Sequence, residues 1–82
     1  MSQYLLFYTF GNETVRMIVT EAGLIKFINE ADFNGAEDIV VYDITQPDKI
    51  ERLYYKGWQP GCVIQFTDES GEVVVSGVGE DH

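Results

Sequence analysis

Residues Thr20–Gly35, TEAGLIKFINEADFNG, decide the fold. Leu24, Phe27, Ile28 and Ala31 recur at i, i+3, i+4 and i+7, which is one stripe of a 3.6-residue period. A helix with a single buried face is therefore expected here. Thr20 suits the N-cap, and Glu21 stands in the first turn, where the helix dipole favours negative charge. Asn34-Gly35 suits the end, because glycine adopts the left-handed conformation without a Cβ clash. Gly23 runs against the pattern, since a glycine inside a helix costs about 1 kcal/mol relative to alanine. Burying Leu24, Phe27 and Ile28 stabilises by roughly 1.5–3 kcal/mol each, so the stripe is read as core and not as a binding face.

Outward from this segment the chain reads as strands. Tyr4–Phe10 is rich in aromatic and aliphatic residues and is apolar on both faces: Tyr4, Leu6, Tyr8 and Phe10 on one, Leu5 and Phe7 on the other. Gly11-Asn12-Glu13 reads as a tight hairpin turn into a second strand, Thr14–Val19, with Val15, Met17 and Val19 on one face. Beyond the helix, Asp38–Thr45 is a third strand, followed by a turn that Pro47 pre-sets. Lys49–Tyr55 reads as a fourth, although Ile50, Leu53 and Tyr54 also fit one helical turn. Lys56–Gly61 is expected to be an irregular connection carrying Trp58. Cys62–Thr67 and Glu72–Val78 form a last hairpin around Asp68-Glu69-Ser70-Gly71, with Gly71 in the left-handed position. Gly77 and Gly79–His82 look like a fraying end.

The expected architecture is α+β: a single helix packed on one face of a mostly antiparallel sheet, order ββαβββ. Residues 1–78 form one small domain and residues 79–82 an acidic tail. The helix returns the chain so that the third strand pairs antiparallel beside the first through a right-handed crossover. The first strand is then interior, as its two-sided hydrophobicity requires. One helix covers part of one face only. The opposite face, with Leu5 and Phe7, needs the last hairpin or a second subunit to cover it.

Composition narrows the function. A chain of 82 residues buries only about 60% of its unfolded surface, so each large apolar side chain counts. Cys62 is the single cysteine and is read as a small core residue, since the sole histidine, His82, is the last residue. Fourteen Asp+Glu against five Lys+Arg give a net charge of −9. The cations Arg16, Lys26, Lys49, Arg52 and Lys56 are scattered in sequence, which disfavours direct nucleic-acid binding and attachment to anionic lipid. No segment approaches the ~20 apolar residues of a membrane span, and the run Tyr4–Phe10 lacks the basic flank of a leader. A cytoplasmic protein is expected. The acidity reads either as solubilising or as an imitation of nucleic acid that occupies a basic site on another protein. In size and charge the chain resembles small accessory proteins of phages and mobile elements.

Chemistry-bearing patterns are sparse. Glu37-Asp38, Asp68-Glu69 with Glu72, and Glu80-Asp81-His82 fall on expected turns and the tail, where water screens them. Asp68–Glu72 is too short for a calcium loop, and one cysteine with one histidine cannot supply a zinc site. No nucleophile–base set, phosphate loop or dinucleotide fingerprint is present, so neither catalysis nor a cofactor is expected. The remaining candidate is an interaction surface made of Tyr54, Tyr55, Lys56 and Trp58, residue types that dominate protein–protein hot spots. The expectation is a non-enzymatic interaction module that binds another protein or itself. The alternative is an acidic mimic that inhibits a DNA- or RNA-binding protein.

Overall fold

A computed structural model describes residues 2–61 and 63–79, without the side chains of residues 32, 33, 58 and 59. Six strands and one helix follow in the order β1 Tyr4–Phe10, β2 Glu13–Val19, α1 Glu21–Phe33, β3 Glu37–Asp43, β4 Glu51–Gln59, β5 Val63–Thr67 and β6 Val73–Val78. The strands form one antiparallel sheet in the order β2-β1-β3-β4-β5-β6. The architecture is α+β, with the helix packed on one face of the sheet, and the order is ββαββββ, one strand more than the expected ββαβββ because four strands follow the helix. Cys62, expected in the core, and residues 80–82 of the expected tail lie outside the described residues.

The helix is capped as its sequence asks. Thr20 Oγ1 accepts from the Gly23 amide at 3.2 Å, and the Leu24 amide donates to the Thr20 carbonyl at 2.8 Å. At the other end Gly35 adopts φ 82°, and the Ala36 amide donates to the Ala31 carbonyl at 2.9 Å. That is the six-to-one bond of a Schellman ending. Gly23 has a local reason: a Cβ there would meet the Val19 Cβ at 3.3 Å, so glycine lets the helix start tightly against the end of β2.

Of the predicted stripe, Leu24, Ile28 and Ala31 are buried and Phe27 is half-buried against the same core, and they meet one alternating set from the strands. The central cross-strand row on this face is Met17–Leu6–Val41–Leu53. Ile64, Phe66 and Val75 continue the core across β5 and β6. Tyr4 is buried beside them, and burial pushes its phenol above the usual tyrosine range, with Asp43 and Glu21 adding to the rise.

The sheet does what a flat one could not. Six strands at about 4.8 Å spacing span roughly 24 Å, while a helix with its side chains is about 10–12 Å wide. Yet α1 touches β1, β2 and β6, including both strands at the sheet's edges. The sheet therefore curls around the helix, which fills its concave side. Gly77 and Gly79, expected to fray, make this closure possible. A Cβ at Gly77 would stand 2.8 Å from Ile25 Cγ1, and one at Gly79 would stand 2.5 Å from Asn29 Oδ1. Gly77 belongs to β6, and Gly79 is buried. The last hairpin thus closes on the helix side of the sheet and leaves the face of Leu5 and Phe7 to itself.

β4 also departs from expectation. It is a strand throughout, and it runs on to Gln59 where an irregular connection was expected from Lys56. Gly57, at φ 81°, is the reason: the register against β5 shifts between Tyr55 and Trp58, so a bulge absorbs the extra residue without ending the strand. A second bulge lies where β3 meets β1, between the pairs Phe7↔Val40 and Thr9↔Glu37, with Asp38 at φ 54°.

Candidate functional site

The helix leaves the convex face of the sheet uncovered among the described residues. Side chains alternate across a strand, so the residues that skip the core fall on this side. Two cross-strand rows make its middle: Ile18–Leu5–Tyr42–Arg52, and beside it Arg16–Phe7–Val40. Tyr54 and Lys56 follow Arg52 by alternation along β4. Neither row contains a carboxylate. In a chain of net charge −9, three of the five Lys+Arg residues stand on one face. Scattered in sequence, they are gathered by the sheet.

The rings on this face are organised around Arg52. Its guanidinium carbon lies 4.8 Å from the centroid of the Tyr54 ring and 5.8 Å from that of Tyr42. Both distances are within the range where a cation is held by the negative face of an aromatic ring. Arg52 Nε donates to the Leu53 carbonyl at 3.1 Å, which fixes the base of the fork. Tyr42 in turn meets Phe7 edge to face, with centroids 6.3 Å apart and planes at 89°. Leu5, Phe7, Val40 and Tyr42 are half-buried by their neighbours, while Ile18 is 63% and Tyr54 41% exposed. An isolated exposed leucine or isoleucine says little, but a contiguous apolar and aromatic patch on a small domain does.

The four residues singled out from the sequence do not share one surface. Tyr54 and Lys56 lie on the convex face and are exposed. Tyr55 turns to the concave side and packs on Phe66, ring centroids 5.3 Å apart, as part of the core. Trp58 sits within β4 with Ile64 as its register partner, and its side chain lies outside the described residues. Sequence reading missed Ile18, Tyr42, Arg16 and Arg52. Ile18 was legible from the alternation of β2, where it falls opposite Val15, Met17 and Val19. The meeting of Tyr42, Arg52 and Tyr54 was not, because it depends on which strands become neighbours.

The carboxylates lie outside these two rows, although Glu51, Asp68 and Glu69 share an open cleft with Arg52. Glu21 and Glu30 are on the helix, Asp48 and Glu51 flank the start of β4, and Glu69 and Glu72 border the last hairpin turn. Glu37 and Asp38 touch only the rim of the convex face, at the end of β3. Asp68 organises its turn: Oδ1 accepts from the Ser70 hydroxyl at 2.6 Å, the Ser70 amide at 2.9 Å and the Glu72 amide at 3.1 Å. The Ser70 hydroxyl bond, followed by the backbone amides, holds this carboxyl below the usual carboxylate range. An open cleft of about 410 Å³ runs between this turn and β4, lined by Ile50, Glu51, Arg52, Asp68, Glu69 and Ser70. Among the described residues no three His, Cys, Asp or Glu groups stand close enough to hold a metal ion. No helix of the described residues is long and apolar enough to cross a membrane. No family model, curated protein or solved structure matches the chain.

Proposed function

We propose that this protein is a non-enzymatic interaction module that binds another protein through the convex face of its sheet. The observation that supports this reading is the patch itself. Ile18, Leu5, Phe7, Tyr42, Arg52 and Tyr54 form a contiguous apolar and aromatic surface on a rigid sheet, and no described element of the chain covers it. Tyrosine and arginine are over-represented among residues that carry binding energy, while carboxylates and lysine are depleted from interface centres. The face has that composition although the chain as a whole does not.

A second reading, an acidic surface that stands in for nucleic acid, draws on the segregation of the carboxylates to the helix, turns and rims. Capture of partners from native extract at low and high salt separates the two. Binding through the convex face persists at high salt and is lost in Ile18→Glu. A polyanion mimic releases its partner as salt rises and is indifferent to Ile18→Glu. Failure to capture any protein under either condition contradicts both readings.

A further inference from the structure

We infer that the outer edge of β6 is a strand-addition site, and that its occupant is an extended segment of another protein, apolar in its middle and basic at its ends. This edge is separate from the convex face and does not rest on that reading. β6 is the last strand of the sheet, and no backbone hydrogen bond of the described residues joins its outer side to another element. Its outward N–H and C=O groups are therefore a template for one more strand. Natural sheets blunt such an edge with charge, proline or a bulge. β2, the opposite edge, carries Glu13 and Arg16. β6 has neither charge nor proline, and its one bulge lies near its start, at Val74. Val78, near its far end, is 73% exposed.

The helix supplies a second wall. Ile25 fills the space where Gly77 has no side chain, which brings α1 close to β6. Next to this contact is a groove of about 160 Å³, lined by Ala22, Ile25 and Val78 together with Lys26 and Glu30. A strand laid along β6 would place an aliphatic side chain in that groove. Main-chain hydrogen bonds would then give affinity, and the groove would give selectivity.

Charge decides between occupants. Lys26 and Glu30 stand one helical turn apart and offset each other. Glu69 and Glu72 precede β6, and Glu80 and Asp81 follow it in sequence. The strand is thus neutral along its length and bounded by acids, on a chain of net charge −9. A second copy would bring the same acids against these and would be repelled. A segment with a β-branched middle and lysine or arginine at its ends satisfies both the edge and its borders.

Two synthetic peptides test this, sharing a threonine–valine middle and ending in lysines in one and glutamates in the other. Each is titrated into the intact protein while amide exchange is followed. The lysine-ended peptide should bind at least about tenfold more tightly than the other, and less tightly as salt rises. It should slow exchange at β6 and leave β2 unchanged. Glu72→Lys should narrow the preference, since the Glu72 contact to the turn is made by its backbone amide. Val78→Lys should weaken the lysine-ended peptide, whereas Ile18→Glu, on the other edge, should not. Equal affinity for the two peptides overturns the basic partner, and no binding of either overturns the site. Protection at β2, or loss of binding in Ile18→Glu, overturns the placement on β6. A dimer by sedimentation, with β6 amides protected before any peptide is added, overturns the inference in favour of a second copy.

Discussion

Gly77 shows how closely β6 is pressed onto the helix. The hydrogen that stands in place of its side chain is what admits Ile25, whose Cγ1 and Cδ1 would be 2.8 and 3.0 Å from an added Cβ. Gly77→Ala should therefore destabilise the domain by about 1–3 kcal/mol, the usual cost of overpacking a core, read as a lower midpoint in urea. An unchanged midpoint would mean that β6 stands off the helix. Asp68 makes a second prediction at this scale. Its folded pKa lies below the unfolded value, so its contribution to stability is complete above the unfolded carboxylate range, about pH 4. That contribution is lost as pH falls through the folded value. Asp68→Asn should be less stable than the parent at neutral pH and should lose less stability on acidification. Parallel curves for the two proteins below pH 4 would contradict the role of this carboxylate in the turn.

At the scale of elements, the helix was legible because its signals are local. The Thr20 cap, the Leu24–Ile28–Ala31 stripe and the Gly35 ending each depend on residues within one or two turns, and all three appear in the structure. Thr20→Ala removes the acceptor for the Gly23 amide and should cost about 1 kcal/mol, measured by thermal unfolding. The interior strand β1 was legible for a similar reason, since apolar residues on both of its faces call for cover on both. β4 was less so. Whether Lys56–Gly61 ends a strand or continues it depends on Gly57, and a glycine signals a turn and a bulge equally well. Gly57→Val forces a β-branched side chain to φ 81° and should cost about 1–2 kcal/mol, with the loss felt in the exchange protection of β4 and β5 amides.

At the scale of the whole molecule, the unresolved matter in the sequence was how one helix could serve a six-stranded sheet. Curvature answers it. By curling until β2 and β6 both reach α1, the sheet gives Met17, Leu6, Val41, Leu53, Phe66 and Val75 a share of one core. The cost of that arrangement is a convex face that no described element of the chain covers. Leu5 and Phe7 pointed to such a face from the sequence. The cation–aromatic cluster on it did not, because Tyr42, Arg52 and Tyr54 come together only through the pairing of β3 with β4 and the alternation along β4. Charge followed the same rule. The five cations look dispersed along the chain, and strand alternation sorts three of them to one side.

The central claim is that this face exists to be covered by a partner. Ile18→Glu tests it most directly, because Ile18 is 63% exposed and packs against no described core residue that needs it. The unfolding midpoint of the variant should match the parent's within about 0.5 kcal/mol, as for other surface substitutions. Its affinity for a partner captured from native extract, measured by calorimetric titration, should fall at least about tenfold, since a charge is placed unpaired in an apolar contact. Equal affinity in the two proteins, with both fully folded, would contradict the claim.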